Sequence, residues 1–184
     1  MPGSRTAQFD ALVAPHLEVL FRVAYRLVRN TPDAQDLVQD TCMVAGEKLG
    51  DLAAADHPAR WLLRVLQNRF IDGARRRKRS PLVALGDGAD ASQLVSDQPS
   101  PEELLQQADS EHSLHRAFLQ LEDMQRTLLS LRAEGYDLGE IEAITGVGRE
   151  VLRARLQRAR RSLSLRIAEQ TSAAPSAHRA GSKP

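Results

Sequence analysis

The chain has 184 residues, enough for one medium domain or two small ones, and its formal net charge of +1 does not by itself mark a nucleic-acid binder. Alanine, leucine and arginine are plentiful and β-branched runs almost absent, which points to an all-α protein and away from sheet folds. Cys42 is the sole cysteine, so an intrachain disulfide is excluded; no run approaches a membrane span and the N-terminus lacks a basic-then-apolar leader, so a cytosolic protein without membrane insertion is expected.

In chain order, residues 15–29 are expected to form a helix, with Leu17, Leu20, Phe21, Ala24 and Val28 at helical spacing and Arg22, Arg26 and Arg29 on another face. Asn30 and Thr31 break it. Thr31 is the expected cap of the next helix, with Pro32 at its first position, where a missing N–H costs nothing. On that helix Val38, Cys42, Ala45 and Leu49 form the expected core stripe, while Asp33, Asp36, Asp40 and Glu47 share a different face; Gly50 is expected to end it. A third helix starts near Pro58 with Trp61, Leu62, Val65, Leu66 and Phe70 as its apolar face, and it ends in five consecutive cations, Arg75 to Arg79. Asp72 is expected to pair with Arg76 one turn on.

Residues 80–101 carry prolines, glycines and acids, and read as a linker between two helical modules. Charge is segregated accordingly: residues 1–80 hold thirteen Lys/Arg against nine Asp/Glu, and residues 81–105 hold five acids and no base. Residues 102–132 read as helical. Gly135 then marks a turn, and Asp137 with Glu140 forms a capping box for a short helix through Ile144. Thr145 to Gly148 is a second tight turn, before a basic helix from about Arg149 to Ala168. Short helix, glycine-containing turn and longer basic helix make a helix-turn-helix pattern. Residues 171–184 are expected to be a disordered tail.

The last helix sets a narrow stripe of Leu152, Leu156, Ala159 and Leu163 against six arginines between Arg149 and Arg161. Arginine grips phosphate bidentately or reads guanine in the major groove, so this helix and the Arg75–Arg79 cluster are candidates for nucleic acid. The acidic stripe of the second helix would by itself be a solvated face. His112 and His115 sit three apart, but no carboxylate–histidine motif completes a metal site. No phosphate loop, nucleophile elbow or triad is present, so neither an enzyme nor a cofactor is expected.

The segments DAQDLVQDT, WLLRVLQNRFIDGARRR, GYDLGEIEAITGV and RARLQRARRSL, in that order, resemble the bacterial extracytoplasmic-function (ECF) sigma factors of RNA polymerase. The resemblance covers most of residues 9–168. It implies a sigma two-like bundle (1–80), an acidic linker (81–105) and a sigma four-like helix-turn-helix domain (106–170). It also implies core RNA polymerase, promoter DNA and an anti-sigma factor as partners. By position, Asp33, Asp36, Leu37, Gln39 and Asp40 fall in the polymerase-docking helix. Asn68, Arg75, Arg76 and Arg77 fall where the melted downstream element is met, and residues 50–58 match the loop that captures a flipped base. Arg149, Arg153 and Arg155 fall on the helix that reads the upstream element. The chain departs from the family pattern at Cys42 and Gly46, where aromatics are usual, and at Glu142, Glu150, Val151 and Ala154 of the helix-turn-helix. A sigma mimic that binds only an anti-sigma factor, and a stand-alone helix-turn-helix regulator, are the rival expectations.

Overall fold

The structure, a computed structural model, describes residues 2–79 and 113–173. Every regular element among the described residues is helical. The first half comprises α1 (Pro2–Val13), a 3-10 turn (Ala14–His16), α2 (Leu17–Val28), α3 (Thr31–Glu47), α4 (Leu49–Ala53) and α5 (Pro58–Arg79). The second comprises α6 (113–119), α7 (Asp123–Ala133), α8 (Leu138–Thr145) and α9 (Arg149–Ala173). The expected linker, His112 and residues 174–184 lie outside the described residues. α9 runs five residues beyond the expected end at Ala168, so Thr171–Ala173 continue the helix.

Local chemistry explains the boundaries. Pro15 stands in the first turn of the 3-10 element, so the helix expected from residue 15 begins as α2 at Leu17. Arg29 takes the left-handed conformation that ends α2, with φ 60°, and lies 5.6 Å from the Tyr25 ring centroid. The cap of α3 is Asn30, not Thr31: its side-chain oxygen accepts from the Asp33 N–H at 2.8 Å, which places Thr31 inside the helix. α3 stops at Glu47 rather than Gly50, because Lys48 leaves helical geometry (φ −106°, ψ 35°) and Gly50 belongs to α4.

The buried face of α3 is Ala34, Leu37, Thr41, Val44 and Ala45; Val38 and Cys42, expected in the core stripe, are only half-buried. Thr41 tolerates burial because its hydroxyl donates to the Leu37 carbonyl at 2.8 Å. α1, which the sequence pattern did not reveal, lies against α3. Phe9 approaches to 3.8 Å of where a Gly46 side chain would begin, so an aromatic from another helix fills the volume that the glycine leaves. α5 buries Leu62, Leu63, Leu66, Gln67, Phe70 and Ala74, with Trp61 half-buried at the edge. Asp72 pairs with Arg75 (3.8 Å) rather than Arg76.

In the second half, the expected continuous helix breaks at 120–122, where the Glu122 N–H donates to the Gln125 side chain at 3.2 Å and α7 restarts. The capping box of α8 forms as expected: Glu140 N–H to Asp137 Oδ1 and Asp137 N–H to Glu140 Oε2, each 2.8 Å.

The two halves pack against each other. One apolar cluster contains Leu20, Leu27, Leu62 and Leu66 together with Leu128, Leu131, Ile141 and Leu152. Around it runs a charged seam in which α2 and α5 supply cations and α7 and α8 supply anions. Glu134 takes hydrogen bonds from Arg22 (2.9 Å) and Arg26. Arg60 meets Glu140 at 3.0 Å and Lys78 meets Asp123 at 3.1 Å. Arg126 reaches the other way: it donates to the Leu27 carbonyl at 2.9 Å and lies 4.9 Å from the Phe70 ring centroid. The Glu134 side chain is only 6% exposed. Burial works to raise its carboxyl, but hydrogen bonds from Arg22 and Arg26, reinforced by their charges, outweigh it and hold the group below its ordinary value.

A folded-state pKa that is depressed contributes stability above the unfolded value and loses it as pH falls through the folded one. Glu134→Gln should therefore lower thermal stability near neutral pH by about 1–3 kcal/mol. The gap between variant and wild type should close progressively below the ordinary glutamate value of 4.5. Calorimetric melts across that range check both; a gap independent of pH would mean that the carboxylate's charge is not what holds the seam.

Candidate polymerase and nucleic-acid interfaces

On α3, Asp33, Asp36, Gln39 and Asp40 are exposed, and Met43 and Glu47 extend the same solvent side. The three aspartates lie within about 60° of one another around the helix. Leu37 does not join them. It is 8% exposed and belongs to the apolar cluster, because position 37 turns toward the core that Ala34 and Thr41 also face. Its contribution to this face is to seat the helix, not to touch a partner.

On α5, Asn68 and Arg75 to Arg79 are exposed. The five cations follow the last buried residue of the helix, Ala74, and so extend past the packed section, whereas Asn68 lies on the solvent side of that section. Basic residues in the last turn also suit the helix dipole. Lys78 is drawn to Asp123 across the seam, while Arg75, Arg76 and Arg77, the group expected, remain accessible together with Arg79. Residues 50–58, expected as a loop, begin inside α4 and reach α5 through 54–57.

The helix-turn-helix is α8, the turn at Gly146 and α9. Gly146 has φ +70°, and its N–H closes α8 on the Glu142 carbonyl at 2.8 Å; a side chain there would be strained. α9 buries Leu152, Leu156 and Ala159, while Leu163 is half-buried. Arg149 and Arg153, one turn apart, open into a groove shared with Arg132, Arg160, Asp137 and Gly139. Arg155 is half-buried and lies about 120° around the helix from Arg149, so the structure does not bring it into that groove. Arg149 is exposed and its Nε donates to Glu142 at 2.7 Å. Backbone hydrogen bonds, first from Glu140 and also from Gly139, hold the Asp137 carboxyl below its ordinary value against its desolvation, and the Arg149 and Arg60 charges add to this.

The Sigma-70 region 2 family model matches residues 12–80. The ECF RNA polymerase sigma factor EcfG of Rhodopseudomonas palustris is 31% identical over 89% of this chain and 86% of its own length. The chain belongs to the ECF RNA polymerase sigma factors. The ECF sigma factor SigE of Mycolicibacterium smegmatis is also 31% identical over 89% of this chain, which spans 63% of that protein's length. Among solved structures, the sigma factor RpoE in its complex with the anti-sigma factor NepR from Bartonella quintana has a TM-score of 0.65 at 25% identity, over 87% of this chain and 96% of that one.

In this sigma factor the region 2 match includes both the acidic face of α3 and the basic end of α5. Sequence pattern did not single out Arg132, Gly139 or Arg160 as neighbours of Arg149; the spacing of Glu142 and Arg149 across the turn was the available signal. No helix among the described residues is long and apolar enough to cross a membrane. The face assignment on α3 has a direct check. Leu37→Ala should cost about 2–5 kcal/mol of stability, as a core truncation does, whereas Asp36→Asn should stay within about 0.5 kcal/mol. Chemical denaturation separates the two, and an unaffected Leu37→Ala midpoint would reverse the assignment.

Proposed function

We propose that this chain directs core RNA polymerase to promoters and supplies the DNA contacts that start transcription, binding polymerase through α3 and DNA through α5 and α9. The observation that carries this is the arrangement of charge on a family fold. An exposed acidic face and an exposed basic helix end lie within the region 2 match, and an arginine-lined groove lies on the helix-turn-helix. The protein works by binding, not by catalysing a reaction: single-strand and duplex contacts provide the free energy that opens DNA. Its setting is the cytoplasm, where polymerase and promoter meet, and its partners include an anti-sigma factor, as in the RpoE–NepR complex.

The two halves act as separable domains. Their seam supports this, because it is charged at its rim and incompletely satisfied inside. Gln67, on the α5 face that carries Arg60, Arg64 and Lys78, is buried with its Oε1 unpartnered in the protein. Ser130, on the α7 face that carries Asp123, Arg126 and Glu134, is buried with its Oγ unpartnered. A buried polar group that lacks a partner costs about 1–3 kcal/mol, so access to water at either residue on opening would favour separation. Polymerase and promoter then engage the two halves separately.

Run-off transcription with purified core polymerase and a promoter library tests the function: the full chain should give promoter-dependent transcripts. Asp36→Arg with Asp40→Arg should abolish co-purification with core at unchanged helicity. Replacing Arg75, Arg76 and Arg77 with alanine should reduce permanganate reactivity of the melted bubble and flatten the salt dependence of open-complex formation, as fewer counterions are released. A chain that neither binds core nor yields transcripts overturns the proposal in favour of a mimic. Unchanged bubble reactivity removes the α5 assignment alone.

A further inference from the structure

We propose that Glu142 is a positioning residue for promoter reading: it holds Arg149 by its Nε so that the far edge of the guanidinium faces a base, and its charge suppresses binding to unrelated DNA. This rests on the reading of α9 as the upstream-element helix and names what sets its selectivity.

The geometry begins with a fixed support. α8 is pinned at one end by the Asp137–Glu140 capping box and at the other by the Gly146 N–H on the Glu142 carbonyl, so the backbone under Glu142 is held on both sides. From it, Glu142 Oε2 accepts from Arg149 Nε at 2.7 Å. A guanidinium has five N–H donors in a planar fork, and a bidentate grip on guanine O6 and N7 needs only two of them. Holding the Nε therefore leaves the terminal edge available while fixing the plane in which it lies. A long side chain held in this way loses less freedom on binding.

Gly139 is the second, independent observation. A Cβ built there would lie 2.9 Å from Arg149 Nη2 and 3.3 Å from Asp137 Oδ1. The guanidinium thus lies across the bare backbone of the first turn of α8. Gly139 is not at positive φ, so its backbone does not demand glycine, and glycine destabilises a helix relative to alanine. A Cβ there would displace the flexible end of Arg149 at little cost to folding, so the contact bears on where that end lies.

Charge supplies the rest. Arg132, Arg153 and Arg160 line the same groove and would attract any phosphate backbone. Asp137 lines the groove with them and Glu142 is held on Arg149 at the same groove, so acids there work against indiscriminate binding, and a site that repels wrong partners gains specificity at the expense of affinity. The Glu142–Arg149 pair is too exposed to matter for folding, with side chains 39% and 62% accessible.

The test uses the full chain bound to core polymerase, selecting duplexes from a library randomised across the upstream element, with competition by an unrelated duplex at several salt concentrations. The wild-type holoenzyme should prefer one base at a position that Arg149 reads. Glu142→Ala should reduce that preference at least about fivefold, bind the unrelated duplex more tightly, and steepen the salt slope by about one counterion. Glu142→Gln keeps an acceptor for Nε without the charge. It should restore the base preference but keep the tighter unrelated binding. Gly139→Ala should displace the end of Arg149 and lose the preference, while melting no lower than wild type. Unchanged base preference in Glu142→Ala overturns the inference even where wild-type selectivity is clear, as does a loss spread evenly over all positions. A wild-type holoenzyme with no upstream preference at any position overturns both this inference and the reading beneath it.

Discussion

Glu134 sits at the C-terminal end of α7, where the partial negative charge of a helix disfavours a carboxylate. Its place there makes sense only with Arg22 and Arg26 opposite, which hydrogen-bond both its oxygens. That contact joins residues more than a hundred positions apart and fixes how the second half lies on the first. Arg60 with Glu140 and Lys78 with Asp123 then fall into line along α5. The apolar cluster supplies most of the contact area, but apolar packing is non-directional. The sign of the charges, basic on one half and acidic on the other, gives the seam its register.

Arginine serves several ends here, separated by geometry. Arg126 is half-buried at the seam and uses its guanidinium against a ring, a carbonyl and a carboxylate at once. Arg29 covers Tyr25 and closes a helix. Arg75, Arg76 and Arg77 project into solvent beyond the packed section of α5. A whole-chain charge near zero conceals this, because Arg22, Arg26, Arg60 and Lys78 are balanced by acids from the other half and the cations at the end of α5 are largely a separate set.

The helices with strong local signals were legible in the sequence. Pro58 opens α5, the Asp137–Glu140 box opens α8, and Gly146 closes it; each is a short-range rule that tertiary structure has no reason to override. Of the stripe expected for α3, Ala45 and Leu49 are buried, but Leu37 and Thr41 take the places expected of Val38 and Cys42. Leu37 and Val38 are adjacent and both apolar, and the choice between them is made by which neighbours cover the helix, with Thr41 able to go inside because its own turn satisfies its hydroxyl. The break at 120–122 was invisible because neither glycine nor proline marks it. The exposed aspartates of α3 and the arginine groups of α5 and α9 were legible because solvent faces are read from local spacing. The seam was not, since nothing in either half announces a partner so distant in sequence. Gly139 gives no signal of its own either, because its close neighbour is a side chain brought back across the turn from the next helix.

The seam also carries an energetic consequence for every ligand of the chain. A protein whose binding-competent form is a minority binds each ligand more weakly in proportion to that fraction. A closed form favoured by about 2 kcal/mol would weaken every contact that needs the halves apart by roughly thirtyfold. By the reciprocity of linked equilibria, a protein that holds the halves closed and a ligand that needs them apart weaken each other's binding by the same factor. Were the halves to part on binding, the strength of the charged rim would set that penalty, with no change at either binding surface.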